Sequence, residues 1–309
     1  MTSFREATPD QAAFLASLFA AGLLIDTGVP GLAGQGPVFD GVREAFTVAV
    51  SRASGVEPVE SMRFPPLTST YQIEKNGYLA SFPHLAGSVF SFAGNDAQAL
   101  ELEARAARHE DWSELQSMTD VVLLPAACYP VYPEIARRGP LPKDGVIVDT
   151  GAAWVFRNEP SGDPARMRSF HMREFVRIGD PADVAAFRDV WLERTLGLFG
   201  RLGLVARSEV ASDPFFGRVG RMLAANQREQ ELKFELVALV GGPEPTAIAS
   251  FNYHQDHFTQ VYEIGLDGGG VAHTGCVAFG LERVTLALFR AHGLDPETWP
   301  SEVRAELWP

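Results

Sequence analysis

Cysteine is nearly absent: Cys128 and Cys276 are the only two in 309 residues, which excludes a disulfide framework. Basic residues are scarce too. Lys and Arg number 26 against 39 Asp and Glu, a formal net charge of −13. That balance opposes general attraction to nucleic-acid phosphates or anionic membranes, though it leaves room for a local basic patch. No apolar run is long enough to cross a bilayer. No basic segment leads the N-terminal apolar stretch, which Glu6 and Asp10 precede, so the start of the chain does not read as a signal peptide. Repeats, low-complexity tracts and a linker long enough to divide domains are all missing. We expect a soluble, cytoplasmic protein with no membrane association, and one catalytic-size domain over residues 1–309.

Hydrophobic residues make up 46% of the chain, enough for a sizeable core. Thr8 or Asp10 can cap a helix through Leu24, followed by a loop from Gly28 to Gly36. Val38 to Ser54 has Val42, Phe46, Ala49 and Val50 on one helical face. Pro65 and Pro66 exclude a central strand at FPPLTSTYQIEKNGY. Asp96 to His109 reads as a helix, Val121 to Leu124 as a short buried strand ending in PAAC, and Tyr129 to Arg137 as a helix. A long helix starts at Asp180 and Pro181 and closes at Gly203; another runs from Asp213 to about Glu231 with Arg218, Arg221 and Arg228. Strands KFELVALV and TAIASFNYH follow, and CVAFGLERVTLALFRAHG reads as a helix with Gly280 near its start. Helices alternating with antiparallel strand pairs point to an α+β fold.

The stretch Trp154 to Arg177, WVFRNEPSGDPARMRSFHMREFVR, organises the rest. It reads as strand, polar turn, strand. Phe170, Met172, Glu174 and Val176 fall on one side of its second strand. The expected surface carries Arg157, Glu159, Arg166, Glu174 and Phe175. Guanidinium groups can fork onto phosphates, and an aromatic ring can stack on a planar base. Taken alone, such a hairpin reads more readily as a charged surface element.

With the final helix the pattern becomes specific. FRNE, a loop, an arginine and a late phenylalanine resemble motif 2 of class II aminoacyl-tRNA synthetases, and FGLERVTLAL resembles motif 3. The Val38 helix with Phe64-Pro65-Pro66 is similar, more weakly, to the motif 1 that forms their dimer interface. FHMREF and LLPAAC match segments of the seryl type. The resemblance covers roughly residues 38–309 and implies an antiparallel sheet flanked by helices, a homodimer, and no coiled-coil arm for tRNA.

Cys128, Glu174 and Cys276 stand where the rare zinc-dependent seryl-tRNA synthetases, and their shortened relatives the amino acid:[carrier protein] ligases, hold Zn2+. ASFNYHQDHF strengthens the match to the ligases. Two thiolates and one carboxylate would leave a fourth tetrahedral position open, as in catalytic zinc sites. The resemblance implies activation of a small amino acid, glycine or alanine, as an adenylate. Transfer to the phosphopantetheine thiol of an acidic acyl or peptidyl carrier protein would follow. In it Arg157 binds the α-phosphate and Arg283 the γ-phosphate. Glu159 contacts adenine, Phe175 stacks on it, and Arg166 and Met167 of the loop join the nucleotide site. Zinc and Glu174 take the amine, and Ala247, Ile248, Ala249, Ser250, Phe251 and Asn252 line the amino-acid pocket. Magnesium accompanies ATP, but the family's acid before motif 3 is missing at Thr246-Ala247-Ile248, so Lys233 and Glu235 become candidates for the nucleotide site. His254, His257 and His273 need no catalytic role. Arg218, Arg221 and Arg228 share a helix face that can meet an acidic carrier. A seryl-type tRNA synthetase and a non-catalytic paralogue are the competing readings.

Overall fold

Segments with apolar residues on alternate positions need a sheet with at least one covered face. The computed structural model describes residues 4–55 and 59–309. Its frame is a sheet of β1 (Glu60–Ser61), β2 (Val146–Asp149), β3 (Ala153–Phe156), β4 (Ser169–Gly179), β5 (Arg207–Val210), β6 (Lys233–Leu239), β7 (Pro245–Gln255) and β8 (His273–Gly280). The order across it is β5-β6-β7-β8-β4-β2-β1, with β3 also on β4. β1 and β2 run parallel, and the other pairings are antiparallel. This is the antiparallel sheet flanked by helices that the motifs imply.

β2 and β3 lie end to end along one edge of β4, pairing with its C-terminal and N-terminal halves. Between them the chain steps out of the ladder at Gly151, whose φ of 61° suits a residue without Cβ. Thr150 repairs the gap. Its hydroxyl accepts from Glu174 N at 2.9 Å, and its own N–H donates to Glu174 O at 3.0 Å. The backbone of Glu174 is thereby fixed on both sides.

Helices α1 (Pro9–Ala20), α2 (Pro37–Ala53), α3 (Val131–Ala136), α4 (Pro181–Arg201), α5 (Gly217–Glu229), α6 (His257–Tyr262) and α7 (Leu281–His292) surround the sheet. α1 opens on a capping box between Thr8 and Gln11. α2 buries Phe39, Val42, Phe46, Ala49 and Val50, one stripe at helical spacing. Phe46 meets Phe199 of α4 and Phe279 of β8, with centroids 6.2 and 6.0 Å away. This main core lies behind the sheet. On the front, α3 and α6 cover the β2 end, where Tyr132 and Phe258 stack at 4.2 Å over Val148 and Val176. The rest of the front face, from β3 across to β6, is where polar side chains collect.

Four expectations change. Cys276–Gly280 is not the start of the last helix but the end of β8, and Gly280 caps α7. A strand paired on both edges and buried on both faces shows no alternation, so its apolar run merges with the helix that follows. The expected buried strand at Val121–Leu124 is longer, Gln116–Leu123, and only Val122 in it is buried; it sits in a separate three-stranded sheet with Leu67–Ser69 and Ser88–Phe92. The first helix ends at Ala20, and part of the expected loop pairs as a hairpin, Leu24–Asp26 with Ala33–Gln35. The Asp213 helix begins only at Gly217.

Candidate active site

Alternation along β4 decides which side chains face the front. Phe170, Met172, Glu174 and Val176 point there, and their cross-strand partners on β8, Ala278 and Cys276, point the same way. Arg157 continues β3 in the same parity, with its N–H on Arg168 O at 2.8 Å. Its Nε donates to Pro125 O at 3.1 Å. Arg283 sits in the first turn of α7, aimed through Nε at Ala165 O (2.7 Å) and through Nη1 at Ala247 O (3.1 Å).

The two guanidinium groups converge on one ring. Arg157 Cζ is 5.8 Å and Arg283 Cζ 5.9 Å from the centroid of Phe170. Arg166 joins them from the turn, bonded to Glu159 Oε1 at 3.4 Å. Loss of solvent, then the neighbouring Arg166, pushes Arg283 down to about 10. It remains charged at neutral pH, and among the described residues it forms no ion pair, with Glu159 and Glu235 acting on it only from further away. Three cations aimed at one gap, held mostly by neutral carbonyls, suit a polyanion.

Beside this gap lie Cys128, Glu174 and Cys276, all buried, with ligand atoms within 4.8 Å of one another. Zinc–sulfur and zinc–oxygen bonds of about 2.3 and 2.1 Å put tetrahedral ligands roughly 3.5–3.8 Å apart, so the set needs little movement to hold the ion. Glu174 Oε1 also accepts the Cys128 N–H at 3.1 Å. Burial pushes the Glu174 carboxyl up, while the bond to Cys128, and then burial, push the Cys276 thiol well up. Three groups that resist ionisation together are what a divalent cation reverses. The residues present fit zinc.

Several assignments move. Phe175 is on the back face, buried against Trp191 of α4 at 4.5 Å and under Arg173 at 4.9 Å. It cannot stack on a base in the front gap; Phe170, four residues before Glu174 and in its parity, is the ring that can. Met167 turns its side chain into the core, lining a cavity with Leu15, Phe19 and Leu24. Lys233 is buried and ion-paired with Asp213 (2.6 Å) and Glu235 (3.0 Å), so its charge is not free for a phosphate. Of the expected pocket wall, Ser250 and Asn252 share the front face with Cys276 and Ala278, whereas Ala249 and Phe251 pair in the opposite parity and face the core behind; Ile248, left unpaired at a register shift, is buried. Ala247 contributes its carbonyl to Arg283.

Sequence reading also missed a buried clamp. Glu282 Oε1 meets His171 Nδ1 at 2.6 Å and Gln35 Nε2 at 2.7 Å, and Oε2 accepts His171 N at 2.8 Å. This ties the turn carrying Arg283 to β4. Arg168 lies over Phe156 and donates to Asn158 Oδ1 at 3.0 Å. The parity of Phe170 was readable in the sequence; the distant partners of Glu282 were not.

α5 stands apart. Among its residues only Gly220 is buried, and Val219 and Met222 are each 69% exposed. Arg218 and Arg221 are exposed and form no ion pair among the described residues; Arg228 donates to Ser212 Oγ. Phe215, just before the helix, packs inward on Phe82 at 5.1 Å. Asp213 joins α5 to the site, exchanging two hydrogen bonds with Gln227 while holding Lys233.

These features can be set beside known proteins. No protein-family model matches the chain. It is 48% identical over 263 residues to amino acid–[acyl-carrier-protein] ligase 1 of Bradyrhizobium diazoefficiens, covering 85% of this chain and 79% of that one. Ligase 2 of the same organism is 45% identical over 290 residues, covering 92% and 85%. Among solved structures, the M. kandleri SerRS in complex with A. aeolicus tRNASec superposes with a TM-score of 0.81 at 20% identity, over 98% of this chain. The chain spans 61% of that structure's length, and the likeness is one of fold.

Proposed function

The chain belongs to the amino acid–[acyl-carrier-protein] ligases, and we propose that it activates glycine or alanine with ATP and passes the aminoacyl group to the phosphopantetheine thiol of an acidic carrier protein. The observation that carries this is the convergence of Arg157 and Arg283 on Phe170 beside Cys128, Glu174 and Cys276. Phe170 stacks on adenine, with Glu159 at the edge of the base. Arg157 draws charge from the α-phosphate as the amino-acid carboxylate attacks, and Arg283 and Arg166 hold the phosphates that leave. Zinc, held by the two cysteines and Glu174, supplies a Lewis-acid anchor for the substrate amine. Ser250 and Asn252 border that anchor and limit the side chain it accepts. In the second step the carrier thiol attacks the acyl carbon, a C–S bond forms, and AMP departs. No protein nucleophile is required.

Magnesium accompanies ATP in this reading, with Glu235 the acid on the front face nearest the missing family position. A homodimer through α2 and the strand after it belongs to the same proposal, as does a cytoplasmic setting; no described helix is long and apolar enough to cross a membrane. tRNA is not the acceptor we infer, because a net charge of −13 disfavours a phosphate backbone.

One experiment separates the readings: ATP–pyrophosphate exchange with a panel of amino acids, with and without tRNA, followed by thioester formation on a phosphopantetheinylated carrier. Glycine or alanine should drive exchange without tRNA and load the carrier. Serine-dependent exchange with charging of tRNA would favour a synthetase. The same assay tests α5 as the docking face. Reversing Arg218 and Arg221 to glutamate should slow transfer and flatten its salt dependence while leaving exchange normal, since rim charges act on encounter. Transfer unchanged in that variant would place the carrier elsewhere.

The stacking assignment has its own check. Phe170→Ala should raise the KM for ATP up to roughly tenfold, from the ~0.5–1.5 kcal/mol of an aromatic stack. Phe175→Ala should leave that KM near wild type. Both rings are buried, so both variants lose stability, ~3–5 kcal/mol for a full core cavity, and the ATP titration is what separates them. A raised KM in Phe175→Ala with a normal one in Phe170→Ala would return the role to Phe175.

A further inference from the structure

Two side-chain nitrogens lie against the Cys276 sulfur, and the reaction does not explain them. Asn252 Nδ2 lies 3.3 Å and His254 Nε2 3.6 Å from its sulfur. The far nitrogen of the imidazole, Nδ1, is 3.1 Å from Oγ1 of Thr274. Thr274 is wholly buried and stands two residues before Cys276 on β8. Here β7 bulges between Tyr253 and Gln255, with Gln255 at a φ of 54°, and the imidazole bridges two residues of the neighbouring strand. Phe258 meets the ring edge-on at 5.1 Å and 84°.

We propose that Thr274 and His254 form an outer-sphere relay onto Cys276: the Thr274 hydroxyl donates to Nδ1, and Nε2–H donates to the sulfur, fixing one ligand of the metal site. This rests on the zinc reading above. The direction follows from the sulfur. A ligating cysteine is a thiolate and has no proton to give. Nε2 must therefore carry hydrogen, and a neutral imidazole then offers a lone pair at Nδ1. The hydroxyl of Thr274 is the donor in reach. Charge supplies the need. Two thiolates, a carboxylate and Zn2+ leave an excess negative charge in a buried site, and N–H groups spread it off the sulfur. Asn252 shares the work, but its amide also binds Ser250 Oγ at 3.2 Å and borders the substrate. His254 and Thr274 are positioning residues; they touch neither substrate nor reacting atoms.

The relay is tested by zinc transfer to a chromogenic chelator and by the visible spectrum of cobalt-substituted protein. Wild type is compared with His254→Phe, His254→Gln and Thr274→Val. Phe removes the donor. Val removes the hydroxyl that fixes the tautomer and leaves the imidazole in place. Both should release zinc on the order of tenfold faster, the lower range for second-shell changes. Both should also move sulfur-to-cobalt absorption to longer wavelength, because an unbonded thiolate holds its electrons less tightly. Gln, which can reach the sulfur with an amide N–H, should stay near wild type. Wild-type release and spectrum in Thr274→Val overturn the relay even if His254→Phe disturbs packing. A wild-type protein that holds no zinc removes both the relay and the reading beneath it.

Discussion

Arg283→Ala should lower amino-acid-dependent ATP–pyrophosphate exchange by ~100-fold or more, the loss expected when a preorganised donor to a charged transition state is removed. The side chain is aimed before ATP arrives. Its Nε and Nη1 are taken by the carbonyls of Ala165 and Ala247, and Glu282, one residue earlier, is clamped by His171 and Gln35. Little reorganisation remains when phosphate binds. Arg283→Lys should fail nearly as badly, because an ammonium cannot bridge two carbonyls and still fork onto phosphate. Arg157→Ala should match it, since Arg157 reaches the same ring, 5.8 Å from its centroid. Exchange within a few-fold of wild type in both alanine variants, with the fold intact by circular dichroism, would refute the nucleotide site.

Cys276→Ser should drop exchange to background with the fold largely kept. Purified wild type should carry about one zinc per chain by elemental analysis, following the three-ligand logic of an open site, and the variant little or none. The substitution removes no volume that the core depends on. What it removes is a soft anionic donor, because a hydroxyl gives up its proton far less readily than a thiol. Glu174 and Cys128 would then face each other buried without a cation. A metal-free preparation with full activity would end the zinc reading, whatever the variant does.

Sequence alone singled out Arg157, Arg283, Cys128, Glu174 and Cys276, which the fold gathers at one face of the sheet. Each is fixed by a short motif, and local order along the chain preserves what a motif says about residue type. Alternation put Phe170 with Glu174 on one side of the strand, but it could not say which side meets the site and which the core. Phe170 and Phe175 both follow the turn, and only strand parity, set when β4 pairs with β3 and β8, sends one ring to the front and the other into the core. A shift of one residue reverses the face. The same holds for Phe251 against Asn252. Nor could sequence carry compensation between distant groups. Lys233 looks like a free cation until Asp213, twenty residues earlier, folds onto it at 2.6 Å, and Glu282 looks exposed until His171 arrives from a strand over a hundred residues away. Residue type is local, and the chain declares it. Facing, burial and the partner of each charge are long-range, and only tertiary pairing decides them.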